Sequence, residues 1–383
     1  MSRRTIVVSA VNLVEAGTLA ILRDCLSYLS TLAIQEDFRV VAIVYKKEMA
    51  NFPNIEYIET QWPKKRWVNR LWYEYVSLRR ISKNLSPVYL WLSLHDTSPS
   101  VRAERRAVYC HNAFSFYKWR MHDLLFAPKI ALFAMFTKCI YKTNIKENTY
   151  VVVQQQWFKE AMRHMFSLDF HRIIVAPPQR GTSIDILSNN GHGAKKTYTF
   201  LFAGSPNSHK NFDIVCRAAA IVEKEGYDNF NVLITVKGDE NRYARWLHKR
   251  WGQVKALNFM GFVSKAELER LYQETDCLLF PSKVETWGLP ISEFASLKRP
   301  MLLAGLPYAR ETAAGSKQVA FFDPDQPAHL ADQMKKLIRG DRSFLQEVPP
   351  TVYKEPMATS WDELFSLLLT DQKRQNNSSL KDL

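Results

Sequence analysis

The sequence has few cysteines, and their spacing matches no metal or redox motif. Five are scattered along its 383 residues: Cys25, Cys110, Cys139, Cys216 and Cys277. A sparse and odd-numbered set argues against a disulfide framework and is typical of a reducing compartment. We therefore expect a cytoplasmic location.

Long apolar runs are also absent. No stretch reaches about 18 uninterrupted apolar residues, so the sequence predicts no transmembrane helix. Residues 2–13 place two arginines before an apolar run, but that run is short and rich in β-branched residues. This pattern favours a first core strand over a signal peptide.

Acidic residues are scarce relative to basic ones, and the formal net charge is +14. Residues 1–185 hold 26 Lys and Arg against 15 Asp and Glu, whereas the remainder holds 26 against 23. The basic excess in the first half suits an anionic lipid surface, a nucleic acid or a phosphorylated substrate, with a purely solubilising role as the alternative. No recognisable nucleic-acid-binding module is present, so nucleic acid is not an expected partner.

Apolar strand patterns alternate with helical patterns through both halves of the chain. In the first half the predicted strands are Thr5–Val11, Arg39–Tyr45, Glu56–Thr60, Val88–Leu94, Ala107–Cys110, Tyr150–Gln154 and Arg172–Ala176. In the second half they are Tyr198–Phe202, Phe230–Thr235, Ala256–Phe259, Cys277–Phe280, Met301–Ala304 and Val319–Phe322. This order predicts an α/β fold of βαβ units on parallel sheets.

The composition between the two halves predicts the domain boundaries. Residues 178–197 are rich in Gly, Ser, Asn and Lys and are expected to form a linker. We predict a first domain at residues 1–177 and a second at 198–345. Residues 346–383 are expected to form helices that return to the first domain, followed by a disordered tail.

Residues 203–211 follow one predicted strand and precede a helix in the second half. Gly204 permits a tight turn there, the helix amides favour an anion, and Lys210 adds a positive charge. The segment is a plausible diphosphate site. The alternative is a solvated lysine in a first helical turn.

A second segment that follows a predicted strand in this half contains more candidate binding residues. Glu285 lies in the loop, Gly288 frees backbone amides, Pro290 suits a first helical turn, and Glu293 lies one turn inside the helix. Carboxylates on both sides of a phosphate-binding loop can hold sugar and ribose hydroxyls. Pairs of Glu eight residues apart are Glu48/Glu56, Glu285/Glu293, Glu347/Glu355 and Glu355/Glu363. Only Glu285/Glu293 flanks a glycine between a strand and a helix.

The segment Glu285–Glu293, with Lys210 upstream and Gly261–Lys265 between, resembles retaining glycosyltransferases of family 4. The resemblance covers about residues 198–340 well and the first half more loosely. It implies the GT-B fold, in which two Rossmann-like domains with doubly wound parallel sheets face a central cleft.

The resemblance also implies roles for individual residues. Glu285 would contact the donor sugar, and Glu293 would bind the ribose. Gly288 and Leu289 would present amides to the diphosphate, and Lys210 would bind phosphate. The residue after the Gly-Phe pair, Val263, would line the nucleobase pocket.

The sequence departs from the family at one donor-site position. The family has an Arg about five residues before the Lys, and Ser205 stands there in this chain. Either a partner of the diphosphate is missing or another cation, such as His209, replaces it.

Three residues in the first half are candidates for the other side of the cleft. Gly17 lies in a segment that resembles the family's glycine-containing loop at the acceptor site, although a plain strand-to-helix turn fits equally. His111 ends a strand, where it would face the crevice and hydrogen-bond the donor sugar. His95 ends the preceding strand. A structural role is the alternative for both histidines.

Residues 115–146 are both aromatic and basic. They suit a surface that touches anionic lipid, which Lys64–Trp67 through Arg79–Arg80 would extend. Buried core helices are the alternative.

The resemblance implies a retaining hexosyltransferase that uses a UDP- or GDP-sugar. No Asp-x-Asp cluster stands at a strand exit, so neither a metal nor another cofactor is expected. The acceptor would be a saccharide or a lipid-linked oligosaccharide of surface polysaccharide assembly, such as lipopolysaccharide, O-antigen or capsule. A nucleotide-sugar epimerase of the same fold and a basic nucleic-acid-binding protein are the alternatives.

Overall fold

The computed structural model describes residues 3–14, 16–119, 121–178 and 197–370. They form two compact units. The first contains the described parts of Met1–Asn112, Thr137–Gln179 and Tyr353–Leu383, and the second those of Ala113–Phe136 and Arg180–Val352. Nearly all of the predicted linker, and the tail beyond residue 370, lie outside the described residues.

The first unit contains a seven-stranded sheet. Its strands are β1 (Thr5–Ser9), β2 (Arg39–Val44), β3 (Ile55–Glu59), β4 (Val88–Ser93), β5 (Arg105–Cys110), β6 (Tyr150–Val153) and β7 (Ile173–Val175). All neighbours pair in parallel in the order β3-β2-β1-β4-β5-β6-β7. The chain therefore changes direction across the sheet between β1 and β4, where doubly wound sheets bind ligands.

Helices cover both faces of this sheet. The helices before residue 170 are α1 (Ala16–Gln35), α2 (Trp67–Trp72), α3 (Leu78–Asn84), α4 (Met121–Phe126), α5 (Pro128–Lys142) and α6 (Gln156–Phe166). Of these, α4 and the start of α5 belong to the second unit. A π-helical turn, Tyr73–Ser77, joins α2 to α3. On one face Leu26 and Leu29 of α1 pack on Ile6 and Val8, and on the other Tyr73 and Leu78 pack on the alternate side chains of β1.

The second unit repeats this plan with six strands. They are β8 (Tyr198–Phe202), β9 (Phe230–Ile234), β10 (Leu257–Phe259), β11 (Cys277–Phe280), β12 (Met301–Ala304) and β13 (Val319–Phe322). The order is β10-β9-β8-β11-β12-β13, again all parallel. The remaining helices are α7 (Phe212–Lys224), α8 (Arg242–Trp251), α9 (Lys265–Glu274), α10 (Leu289–Ala295), α11 (Pro307–Thr312), α12 (Pro327–Ile338) and α13 (Trp361–Leu369). The predicted pair of Rossmann-like domains is confirmed.

The carboxyl-terminal helix belongs to the first unit, not the second. Leu364, Phe365 and Leu368 of α13 are buried in the first core, and the Phe365 ring stacks on Tyr28 at 5.4 Å. The carboxyl-terminal segment of the first unit begins at Tyr353. The predicted start was residue 346.

Residues 113–136 belong to the second unit, although the sequence analysis includes them in the first domain. Their aromatic side chains pack on second-unit residues: the Phe126 ring lies 4.9 Å from Trp246, and Phe114 lies 5.0 Å from His209. This packing depends on contacts distant in sequence, which the strand and helix patterns do not reveal. No described helix is both long and apolar enough to span a bilayer.

Candidate active site

Two loops meet at the carboxyl ends of β8 and β11, the neighbouring strands at which the second sheet changes direction. The loop after β8 ends in a short 3-10 turn, Ser208–Lys210, and the loop after β11 runs to the start of α10. The Lys283 amide donates to the His209 carbonyl at 2.8 Å, and the Asn211 side-chain amide donates to the Pro281 carbonyl at 3.3 Å. These bonds fix one loop against the other.

An ion pair between Lys210 and Glu285 lies at this junction. Lys210 Nζ is 2.5 Å from Glu285 Oε1, which also accepts a hydrogen bond from Ser282 Oγ at 2.6 Å. The two charged side chains are only 19% and 16% exposed. Residues that the sequence analysis assigned to phosphate and to the donor sugar therefore lie side by side, although 75 positions separate them.

Gly288 precedes the first residue of α10 and has a left-handed backbone, with φ of +92°. A Cβ there would lie 3.3 Å from Ile291 Cδ1 and 3.4 Å from Phe280. Glycine is thus required both by the backbone angle and by the tight packing. Leu289, the first residue of the helix, is 41% exposed.

Glu293 lies within α10 and is half-buried. Its Oε2 accepts a hydrogen bond at 2.9 Å from the hydroxyl of Tyr272 on α9. Burial, together with the charge of Glu293, raises the pKa of Tyr272, so this hydroxyl keeps its proton and remains a donor. The sequence analysis did not identify Tyr272, and the only available signal was its place on the helix before β11.

Gly204 is not in a left-handed conformation, so its backbone angle does not require a glycine. Its amide donates to Thr235 Oγ1, whose hydroxyl donates back to the Gly204 carbonyl, both at 2.9 Å. The left-handed residue of this segment is Asn211, with φ of +61°, just before α7. Ser205 is exposed and accepts a hydrogen bond from the Asn207 side chain at 2.9 Å.

His209 is 8% exposed and packs edge-on against Phe114. Burial and the neighbouring Lys210 ammonium lower the pKa of His209 to about 4. The imidazole is therefore neutral near pH 7 and adds no positive charge in place of the arginine that Ser205 replaces.

Phe114 and Asp123 lie in residues 113–136. This segment belongs to the second unit, although it is in the first half of the sequence. Asp123 is buried and accepts a hydrogen bond from the Tyr117 hydroxyl at 2.9 Å. Its charge opposes the lowering of the His209 pKa, so this carboxylate lies within electrostatic reach of the site. Neither residue could be identified from the sequence, because nothing local marks the packing of this segment on the second unit.

Val263 follows β10, two strands from β8 along the same edge of the sheet. It is half-buried, and the preceding Phe262 is 92% exposed. Gly261 is left-handed, with φ of +82°, and a Cβ there would lie 3.2 Å from the Cβ of Lys237.

The two histidines of the first unit differ in their surroundings. His111 follows β5, its ring stacks on Tyr109 at 4.4 Å, and its amide donates to Asp96 at 2.6 Å. Burial lowers the pKa of His111 in spite of Asp96. His95 follows β4, is 2% exposed, and places Nε2 at 2.7 Å from Glu74 Oε1. Burial alone would raise the pKa of Glu74, but His95 and then Arg70 hold it below its usual value.

Gly17 lies in the first turn of α1 rather than in the loop before it. The loop after β1 instead brings Asn12 to Arg70. With its amide oxygen turned toward the guanidinium, Asn12 accepts from Arg70 Nη1 at 2.6 Å. Among the described residues, no group of three or more His, Cys, Asp or Glu side chains is arranged to hold a metal ion.

Comparison with known proteins identifies the family to which this part of the chain is similar. Residues 185–347 match the family model described as glycosyl transferases group 1. The protein is a glycosyltransferase. The matched segment includes both loops of the Lys210–Glu285 junction, so the family's domain is the second unit.

Solved structures match over the whole chain at low identity and show the GT-B fold. A sucrose-phosphate synthase from Thermosynechococcus elongatus is 12% identical, with 99% of this chain and 100% of that chain covered and a TM-score of 0.64. Anabaena HepE, solved with UDP and glucose, is 13% identical, with both chains fully covered and a TM-score of 0.62. WaaG, described as involved in lipopolysaccharide biosynthesis, is 14% identical over 87% of this chain and 91% of that one, with a TM-score of 0.58. No curated protein matches the glycosyltransferase sequence.

Proposed function

We propose that this glycosyltransferase moves a hexose from a nucleoside diphosphate sugar to a saccharide acceptor with retention of anomeric configuration. The Lys210–Glu285 pair supports the proposal most strongly. In this pair a cation that would suit the diphosphate lies beside an anion that would suit the sugar, at the point where doubly wound sheets bind their ligands.

The donor would lie across the two loops of the second unit. Lys210 meets the diphosphate, and the amides that follow Gly288 face the same phosphates. Glu293 holds the ribose hydroxyls while the Tyr272 hydroxyl fixes the carboxylate. Val263 contacts the base, which belongs to a UDP- or GDP-sugar, and no metal is needed to balance the phosphate charge.

The proposed reaction breaks the bond between the anomeric carbon and the diphosphate oxygen, and forms a bond to the acceptor hydroxyl on the same face. The leaving diphosphate takes the proton of that hydroxyl. Glu285 stabilises the positive charge that develops on the sugar, and Lys210 stabilises the negative charge on the leaving group. Since His111 is a neutral imidazole, it can hydrogen-bond the sugar without adding charge.

We propose a lipid-linked saccharide of surface polysaccharide assembly as the acceptor, used at the inner face of the cytoplasmic membrane. The similarity in fold to WaaG, a glycosyltransferase involved in lipopolysaccharide biosynthesis, supports this class. The basic excess of residues 1–185 supports an acceptor that is phosphorylated or held at an anionic surface.

The variant Glu285→Gln tests the proposal, because it keeps the size of the side chain and removes its charge. Transfer should fall by roughly 10²–10³, as for the loss of one preorganised electrostatic group. Binding of the free nucleoside diphosphate should stay equal or tighten, because Lys210 no longer shares its charge with Glu285. Turnover is measured with donor and acceptor, and binding by calorimetry with UDP and GDP.

Glu269→Gln is the matched control, since Glu269 lies on the second unit in an exposed ion pair with Lys265. It should leave both quantities unchanged. Parental turnover in Glu285→Gln would remove Glu285 from the active site. A sugar epimer without any new glycoside, formed with acceptor present, would contradict transfer itself.

A further inference from the structure

One helical face of the first unit turns its apolar stripe toward solvent. Val68, Leu71, Trp72 and Val76 have the i, i+3, i+4, i+8 spacing that normally faces a core. They are nevertheless 74%, 39%, 60% and 43% exposed. The opposite side of the same segment supplies the core contact, through the buried Tyr73.

Tryptophans border this stripe. Trp67 at the start of α2 is 50% exposed, and Trp62 in the preceding 3-10 turn is 38% exposed. We call these six exposed residues the apolar stripe: Trp62, Trp67, Val68, Leu71, Trp72 and Val76. Such a contiguous group of large exposed side chains marks an interaction surface rather than ordinary exposure.

The charge around the apolar stripe has one sign. Residues 61–84 contain seven basic side chains: Lys64, Lys65, Arg66, Arg70, Arg79, Arg80 and Lys83. The single acidic residue of this range, Glu74, is 1% exposed and contacts His95 inside the unit. An occupant must therefore be apolar at the centre and negative around it.

We propose that this face docks on a bilayer of anionic phospholipid. Tryptophan and aliphatic side chains enter the boundary between headgroups and acyl chains, and Lys and Arg meet the lipid phosphates. A second copy of the chain would bring the same basic side chains against one another, which disfavours self-association through this face.

The same helix connects the docking face to the ligand end of the first sheet. Arg70 donates to the His95 carbonyl at 2.9 Å and to the Asn12 amide oxygen at 2.6 Å. Asn12 follows β1 and His95 follows β4, the two strands at which this sheet changes direction. A docked α2 therefore holds the acceptor end of the unit at the lipid surface. This last step rests on the proposed function, and it specifies an acceptor that remains anchored in the bilayer.

Vesicle binding tests the docking face. Cosedimentation is measured with vesicles of phosphatidylglycerol and phosphatidylcholine in equal parts, and with phosphatidylcholine alone. The parent should bind the first in a salt-sensitive way and the second weakly. Trp67→Ser/Trp72→Ser should lower the partition coefficient roughly 100-fold through lost apolar burial. Arg79→Gln/Arg80→Gln should lower it roughly 30-fold through lost charge.

Two controls match these variants. Ile34→Ser removes a 70% exposed apolar residue of the first unit outside the stripe. Lys249→Gln/Arg250→Gln removes two exposed charges from α8 of the second unit. Both should bind vesicles like the parent. If the α8 variant loses as much vesicle binding as the Arg79→Gln/Arg80→Gln variant, binding depends on net charge alone. That result would overturn the proposal.

The segment 115–146 provides a competing location. If Lys118→Gln/Lys138→Gln abolishes binding while the stripe variants bind like the parent, the docking face is wrong. If sedimentation velocity shows that the parent self-associates and Trp67→Ser/Trp72→Ser does not, with no vesicle binding, the face is a protein interface instead. UDP and GDP affinity, which belongs to the second unit, should be parental in every stripe variant. If the parent binds neither UDP nor GDP, the proposed function is contradicted, whereas the docking face is not.

Discussion

At the residue scale, the two charges of the proposed donor site, Lys210 and Glu285, lie in contact with each other. A half-buried charge without a partner is costly, and the Lys210–Glu285 contact avoids that cost on both sides. In the proposed reaction, donor binding would redirect Lys210 toward phosphate and leave Glu285 available to the sugar. The pair would then serve both as a stabilising contact and as the two charges that the reaction needs.

Lys210→Ala should weaken the binding of UDP by about 1.5–3 kcal/mol, because a charged hydrogen bond to phosphate is lost. It should affect uridine much less, because the nucleoside has no phosphate. Calorimetry with both ligands measures the difference. Lys335→Ala is the control, because Lys335 is 17% exposed and pairs with Glu225 at 2.8 Å in the same unit. An equal loss for UDP and uridine in Lys210→Ala would make Lys210 structural.

The lowered pKa of His209 yields a prediction about pH. Its folded-state pKa of about 4 lies below the ordinary 6.5, so the unfolded chain takes up this proton first as the pH falls. His209 therefore contributes stability that is complete above pH 6.5 and is lost as the pH falls toward 4. The free energy of unfolding of the parent should fall relative to that of His209→Gln in this window.

The same neutral imidazole should not influence phosphate binding. The ratio of UDP dissociation constants at about pH 5.5 and about pH 7.5 should agree between parent and His209→Gln. The comparison cancels the titration of UDP itself. A parent that gains affinity in acid while the variant does not would show that His209 acts as a cation.

At the element scale, strand patterns were sufficient to place the two loops of the proposed donor site. Parallel strands are buried on both faces, so they appear as continuous apolar runs such as Tyr198–Phe202 and Cys277–Phe280. The structure has β8 and β11 within these same bounds. Lys210 and Glu285 could therefore be placed at neighbouring strand ends before any coordinates, although their direct contact could not.

Other parts of the site depend on contacts that no local pattern encodes. Tyr272 reaches Glu293 from a different helix, and Phe114 reaches His209 across 95 positions of the sequence. The left-handed Asn211, rather than Gly204, shapes the loop after β8, because its side chain also donates to the Pro324 carbonyl at 2.8 Å. Each of these contacts depends on packing between residues that are distant in sequence. The sequence shows the residues but not which of them come together.

The α13 helix gives the prediction at this scale. Phe365 is fully buried against Tyr28, so Phe365→Ala should destabilise the first unit by about 3–5 kcal/mol. In thermal unfolding, the transition temperature of the first unit should fall. The temperature of the transition that UDP stabilises should not change. Ile34→Ala, at an exposed site on α1, should change neither. A shift of the UDP-stabilised transition by Phe365→Ala would mean that the two units unfold as one.

At the scale of the whole molecule, the two units repeat one strand order and divide the tasks between them. The second sheet places paired charges at its switch point, and the first places Arg70 between Asn12 and the His95 carbonyl at its own. The basic excess lies in the half of the sequence that builds most of the first unit. Fold and charge therefore both support the proposal of phosphate chemistry on the second sheet and surface recognition on the first.

The first unit is assembled from segments that lie on both sides of the second in sequence. A ribosome releases β1 to β7 long before it makes α13, yet Leu364, Phe365 and Leu368 complete the core on which those strands pack. One apolar face of the nascent first sheet therefore stays incompletely covered while residues 180–352, the larger part of the second unit, are synthesised. Chaperones that bind exposed apolar surface have their longest opportunity on this protein during that interval.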